Sequence, residues 1–400
     1  MMYDFTIAGA GIVGLSTAYK LSLQYPDSSI LVLDKESEVA AHQTGHNSGV
    51  IHSGIYYQPG SYRAKNCIAG RHQIVDYCEE NGISYDICGK VIVATDESEI
   101  PGLTNVFDRG IQNRIEGIQL IDEKELLEIE PYARGVRAIH VPCSGIIDFK
   151  GVCNSLAQKL TDSGNKIALE RYVKGVHQKN GSLSIHTHQE DFKSKYFINC
   201  TGLHSDRVAL ASGVKSNIQI VPFRGEYYEL IPEIEYKVRG LIYPLPNPEF
   251  PFLGVHFTRM VDGRVECGPN AVFSFKREGY KKTSFDFKDT IDTVNFPGFW
   301  KLAGNHWKMG LDEMYRSVSK KGFLKNLQKL MPSIKADQIR TSPAGVRAMA
   351  LLPNGEIMDD FYFETTQNEI HVLNAPSPAA TAGLSIGDEI VAKAKEAFSL

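Results

Sequence analysis

Three glycines mark the first place where this chain could do chemistry. Gly9-Ala10-Gly11-Ile12-Val13-Gly14 follows an apolar run, Tyr3 to Ala8, and leads into a helical pattern, Leu15 to Gln24. A helix N-terminus offers unpaired N–H groups and the positive end of a dipole, which together suit a phosphate. Gly9 permits the tight turn. Gly11 lets backbone approach a pyrophosphate, with Ile12 and Val13 in the same turn. Gly14 lets helix and strand pack closely. A second apolar run, Ser29 to Leu33, ends at Asp34 and Lys35, with Asp34 20 residues after Gly14. A carboxylate there can accept hydrogen bonds from an adenosine ribose. Strand, glycine turn, helix and acid-ended strand make a complete βαβ dinucleotide unit. The unit alone does not choose between FAD and NAD.

Three later segments favour FAD. Lys195 to Cys200 reads as a strand running into Thr201-Gly202, which resembles the second flavin motif. Lys166 to Glu170 and Val173 to Val176 resemble short strands whose backbone, at Val173, meets the adenine. Glu369 to Leu373 leads to Ser377-Pro378, Thr381 and Gly383-Leu384, a small-residue turn opening a last helix. Such a turn offers backbone N–H groups to flavin carbonyls, a contact that an NAD enzyme does not need.

Those segments are far apart in sequence, so the domain they form must be discontinuous. The expectation is α/β: a Rossmann-like FAD-binding domain from residues 1–84, 146–218 and 341–400. Residues 85–145 and 219–340 then make an α+β substrate domain with a mainly antiparallel sheet. Its strands are expected at Lys90 to Thr95, Gly135 to Val141, Gly225 to Leu230, Leu253 to Arg259 and Arg264 to Gly268. Asp122 to Glu130 reads as a short helix, and residues up to about 332 as mostly helical.

The whole chain has 400 residues, 42% hydrophobic and 22% charged, with a net charge of −4. That balance excludes a disordered chain and gives no electrostatic case for nucleic acid. No apolar run approaches a membrane span. Met1-Met2-Tyr3-Asp4 has no basic flank, so no signal peptide is expected and a cytoplasmic protein is. The seven cysteines include no Cys-x-x-Cys pair, and there is no His-Glu-x-x-His. Reduced thiols and no metal site are the expectation.

Several segments together resemble the FAD-dependent L-2-hydroxyglutarate oxidases and dehydrogenases, within the D-amino-acid-oxidase-like flavoproteins. The narrowest is His42-Gln-Thr44-Gly45-His46-Asn47-Ser48-Gly-Val-Ile-His52-Ser-Gly-Ile-Tyr56-Tyr57. Others are Pro222-Phe-Arg224-Gly-Glu-Tyr-Tyr228, Gly254-Val-His256-Phe-Thr-Arg259, Gly268-Pro-Asn-Ala271 and Pro343-Ala-Gly345-Val-Arg347-Ala. The resemblance implies hydride transfer from L-2-hydroxyglutarate to FAD, giving 2-oxoglutarate. It places Thr44 to Ser48, Gly345 and Arg347 against the cofactor, and runs the segment carrying His52 along the flavin ring. In some relatives a histidine anchors the flavin covalently, which makes His46 or His52 the alternative anchor.

Alcohol oxidation needs a base near neutrality, and histidine is the usual choice. His52 stands first and His256 second. A dicarboxylate needs cations, and arginine binds carboxylates bidentately. Arg224, Arg259 and Arg347 are the candidates, with Tyr57 adding a hydroxyl. On an extended strand His256 and Arg259 fall on opposite faces, so both reach one site only across a bulge. Arg347 is equally placed to serve the flavin. An amine or amino-acid oxidase on the same fold, a glycerol-3-phosphate oxidase and a non-catalytic or RNA-modifying flavoprotein are the competing readings.

The electron acceptor, oxygen or a membrane quinone, is not written in these motifs. One stretch bears on it. Residues 295–335 hold both tryptophans, Trp300 and Trp307, with eight basic and two acidic residues. Basic residues beside interfacial aromatics suit an anionic bilayer surface. Core packing of the tryptophans beneath a solvated lysine face is the competing expectation.

Overall fold

The computed structural model describes residues 1–179, 181–246 and 254–400. Met2–Ala8 is the central strand of an eight-stranded sheet. It runs parallel to Ile30–Leu33 on one side and Asp191–Asn199 on the other. Ile30–Leu33 continues to Lys166–Ala168, and Asp191–Asn199 to Glu369–Asn374, all parallel. Met2–Ala8 and Ile30–Leu33 are buried along most of their length and read as apolar runs, whereas Asp191–Asn199 alternates until its buried end. Asp191–Asn199 also carries an antiparallel meander, Val173–Lys179 and Ser182–Thr187.

The first helix, Ile12–Gln24, packs between two others. Its Leu15, Ala18 and Leu21 share one apolar core with Leu156 and Leu160 of Phe149–Asp162 and with Ile386, Ile390 and Ala394 of Gly383–Phe398. A fourth helix, Tyr62–Asn81, closes the layer through Ile74, Tyr77 and Cys78. Thus three pieces of chain, distant in sequence, share a single core, as the scattered flavin motifs require.

The second sheet has nine strands. Its pairings are antiparallel except Lys90–Ala94 with Leu241–Pro244. Alternation splits its residues cleanly. Val91, Val93, Ile242 and Phe257 face a core closed by Phe323 and Leu327 of the helix Lys320–Leu330. Tyr243 turns the other way, with Leu241, toward Val50 and Ile146.

Two expectations change. The expected domain boundary at residue 341 falls inside a long strand, Ile339–Leu351, which pairs antiparallel with Gln219–Leu230 over most of its length. Backbone pairing therefore ties this segment to the substrate sheet, and the return to the first sheet comes later. The boundary at 146 likewise cuts the strand Gly145–Ile147, part of a small three-stranded sheet with Val50–Ile51 and Tyr85–Asp86. The strand expected over Leu253 to Arg259 is seen over His256–Arg259; Leu253 lies outside the described residues.

Candidate active site

A cavity of about 550 Å³ is lined by residues of both sheets. At one end stand Arg171, Tyr172 and Val173. Gly9, Gly11, Ile12, Val13, Asp34 and Lys35 follow, and Thr44, His46, Asn47 and Ser48 lie alongside. Thr201, Gly202, Gly345, Arg347, Ser377, Pro378 and Thr381 also face it. His52, Tyr56, Tyr57, Tyr243 and His256 line it as well.

The glycine turn is built for close approach. Gly9 has φ +104°, and a Cβ there would sit 2.3 Å from the Cys200 carbonyl oxygen. A Cβ on Gly14 would sit 1.9 Å from the Gly9 oxygen, so this glycine is needed for packing. A Cβ on Gly11 would meet Thr44 Oγ1 at 3.2 Å. The first N–H groups of a helix have no intrahelical acceptor. Here the Ile12 N–H donates to Thr44 Oγ1 at 3.0 Å. Asp34 pins the turn: its Oδ2 accepts from the Ala10 N–H at 2.6 Å and its Oδ1 from the Glu36 N–H at 2.9 Å.

Lys35 lines the cavity, but its ammonium is already engaged. It pairs with Glu36 and lies 2.7 Å from Glu278 Oε1, which His204 also contacts at 2.8 Å. Burial alone would raise the Glu278 carboxyl. Hydrogen bonds from His204 and Lys35 outweigh it and hold the group far below the usual carboxylate range. Glu36, His42 and Glu278 have metal-ligand spacing. The Lys35 ammonium fills the space between those carboxylates, so the cluster is an ion-pair network.

Thr381 fastens the far side. Its hydroxyl donates to the Val50 oxygen at 3.0 Å and accepts from the His52 N–H at 3.1 Å. This holds the His52 backbone while no described side chain hydrogen-bonds its imidazole. Burial, helped by the charge of Lys90, keeps that imidazole neutral well below its ordinary range. His256 is held more tightly. Its Nδ1 lies 2.8 Å from the Gly254 oxygen, which can only accept, so Nδ1 carries the proton and Nε2 the lone pair. Its ring stacks on Tyr243 with centroids 3.9 Å apart. Burial pushes His256 down to about 3.

The cations divide. Arg347 lines the cavity, with Nη1 3.4 Å from the Asn270 oxygen. Arg224 and Arg259 do not line it, contrary to expectation. Arg224 is buried and donates through Nε and Nη2 to Glu226 Oε1 at 3.0 and 2.8 Å. Ser317 donates to the same oxygen, tying this sheet to the helix Pro297–Val318. Arg259 leaves its strand on the face opposite His256 and pairs with Asp86, with no bulge to turn it round. Gly45, Gly383 and Leu384 also stand off the cavity. Gly45 packs on the Ala40 oxygen and Lys150, Gly383 on Ile12, and Leu384 lies in the helical core.

Sequence reasoning passed over Arg63, Tyr56 and Tyr243. Arg63 donates to the Ser377 oxygen at 2.7 Å, pairs with the exposed carboxylate of Asp359 and lies 4.6 Å from the Tyr57 ring centroid. No local motif marks it, because the groups that hold its guanidinium, Ser377 and Asp359, come from a distant segment. Among the described residues the buried Tyr56 hydroxyl has no hydrogen-bond partner, and the Tyr243 hydroxyl lies against Thr258.

A glycine cradle at a helix N-terminus, an acid at the end of the second strand and a cavity closed by a second sheet define a dinucleotide-binding oxidoreductase. Residues 4–393 match the model of the FAD dependent oxidoreductase family, and the chain belongs to that family. It is 49% identical to the L-2-hydroxyglutarate dehydrogenase of Indibacter alkaliphilus, over the full length of both. With the L-2-hydroxyglutarate dehydrogenase of Escherichia coli K12 it shares 45% identity, over 98% of this chain and 93% of that protein. Among solved structures, the L-alpha-glycerophosphate oxidase of Mycoplasma pneumoniae with FAD bound superposes at a TM-score of 0.81. It covers 98% of this chain and 94% of that one at 24% identity, a likeness of fold. The resemblance read from the motifs therefore holds, and FAD is the cofactor.

Proposed function

We propose that this protein oxidises L-2-hydroxyglutarate to 2-oxoglutarate. The observation that carries the reading is end-to-end identity of 49% to a dehydrogenase named for that substrate. The cavity supports it by bringing two neutral imidazoles and two arginines, Arg63 and Arg347, to one space. FAD, when bound, supplies the two-electron acceptor for the hydride leaving the α-carbon. His52 takes the hydroxyl proton. Its ring is open to the cavity, whereas His256 is committed to Gly254 and Tyr243. Arg347, with Arg63 and Tyr57, clamps the carboxylates so that the reacting C–H is held in line.

Anaerobic L-2-hydroxyglutarate should bleach the flavin band near ~450 nm, and glycine, sarcosine and proline should not. Bleaching by an amine but not by the hydroxy acid would move the enzyme to the amine-oxidase reading. The placement of the arginines gives a second expectation. Arg347→Met should weaken substrate binding by about 10–100-fold, the loss of a charge-assisted contact. Arg259→Met should leave it within about threefold, because an exposed pair is worth little. Equal losses in both variants contradict the clamp assigned here.

We further propose that electrons pass to a membrane quinone, with the protein docked peripherally. No described helix is long and apolar enough to cross a membrane. Support comes from the helix Pro297–Val318. Trp300 and Trp307 are 59% and 58% exposed, and Leu311, Met314, Tyr315 and Val318 are exposed at the spacing of one helical stripe. The core-packing alternative requires buried tryptophans. Anionic vesicles should carry the protein upward on flotation at low salt. High salt, or Trp300→Ser with Trp307→Ser, should release it. If the wild-type protein stays at the bottom of the gradient, this docking is wrong.

A further inference from the structure

Lys90 is 2% exposed, among the most deeply buried large side chains of the protein. It opens the strand Lys90–Ala94, directly beside Leu241 in the parallel pairing. Alternation sends Val91 and Val93 toward the helical core and leaves Lys90 on the side of Tyr243. Its ammonium lies 4.4 Å from the Tyr243 ring centroid and 5.5 Å from that of Tyr56. Both rings line the cavity, and among the described residues the Tyr56 hydroxyl has no partner. Among the described residues no carboxylate pairs with Lys90; the ionisable groups that act on its charge are the thiols of Cys67, Cys88 and Cys143. A buried cation without a counter-ion lowers stability. Such a group persists where an anion arrives.

We propose that Lys90 is the buried counter-charge for the carboxylates of the substrate. It acts through the low-dielectric layer of Tyr56 and Tyr243 and is a positioning residue, because two rings stand between it and the cavity. The proposal rests on the dicarboxylate reading above. Burial lowers the ammonium to about 8. The groups around it titrate elsewhere. His52 and His256 are pushed down, Tyr56 and Tyr243 up, Cys67 to about 12, and Cys88 and Cys143 up. The other positive charges acting on the two imidazoles are those of Arg63 and Arg347. Deprotonation of Lys90 above about 8 removes positive charge, so dianion binding weakens as pH rises through that region.

The test is the dissociation constant of 2-oxoglutarate for the FAD-loaded protein, read from the perturbed flavin spectrum between pH 6 and 10. Wild type should bind more weakly above about 8. Lys90→Met should bind about 10–100-fold more weakly at pH 7, with the alkaline limb gone and the melting temperature equal to or above wild type. Lys90→Arg should restore binding at pH 7. Unchanged binding in Lys90→Met, or a flavin midpoint potential that shifts while binding does not, overturns the proposal. A lowered melting temperature with loss of flavin assigns Lys90 to packing and also overturns it. Should Lys90→Met not fold, the wild-type limb decides, and its absence is a negative answer. If wild type binds no 2-oxoglutarate at any pH, the dicarboxylate reading fails first, which separates the two failures.

Discussion

Valine at position 11 should give a folded protein that purifies without FAD. Gly11 has φ −80° and ψ 179°, an extended conformation open to any residue, so the change puts no strain on the backbone. What excludes a side chain is space. A Cβ would already stand 3.2 Å from Thr44 Oγ1, at the mouth of the helix N-terminus. The γ-carbons of valine would then fill the approach of the pyrophosphate. Gly9 and Gly14 would be poorer probes, since a Cβ there strikes backbone at 2.3 and 1.9 Å and breaks the βαβ unit itself. Affinity for FAD should fall at least about a hundredfold, roughly 3 kcal/mol. Flavin titration with circular dichroism on the same sample checks it. A folded Gly11→Val protein with normal flavin content contradicts the cradle.

His52→Ala should retain FAD and reduce it about 10²–10⁴ times more slowly with substrate, the usual contribution of a general base. The Thr381 hydroxyl holds the backbone of residue 52, so the alanine variant keeps its local fold. His256→Ala should have a smaller effect on the rate. The pH dependence is specific. An ordinary histidine loses its base form below about 6.5, but burial holds both imidazoles neutral further down. Stopped-flow reduction should therefore stay flat from pH 7.5 to 6. A wild-type limb near 6.5 would mean that the base is solvated. The larger loss in His256→Ala would transfer the role to that residue.

Much of the cavity lining around the glycine turn was legible because the segment that forms it is local. Gly9, Gly11 and Asp34 sit within one βαβ unit, where spacing alone fixes geometry. Thr201 follows the end of the strand Asp191–Asn199, and Thr381 lies in the turn that opens the helix Gly383–Phe398. The substrate half was harder for a physical reason. Arg224 lies in a well-marked segment, but Glu226, two residues on along the same strand, captures its guanidinium. Arg259 follows the strand alternation, and the absence of a bulge decided its direction. Nothing near Arg63 in sequence indicates Ser377 or Asp359 as neighbours. Lys90 reads as an ordinary polar residue at a strand start, and its burial depends on two tyrosines from other segments. The strand Ile339–Leu351 runs on across residue 341, because a change of motif need not be a change of sheet.

The Thr381 hydroxyl bridges Val50 and His52, partners 331 and 329 residues earlier in the chain. During synthesis the glycine turn and His52 leave the ribosome at least 329 residues before this clasp exists. At a usual rate of about 5–20 residues per second, the unfinished pocket waits on the order of 20–60 seconds with apolar walls open to the cell. Cofactor capture is thus a late event, and a shortage of FAD should be felt first by newly made chains, through aggregation or proteolysis, while mature enzyme keeps its cofactor.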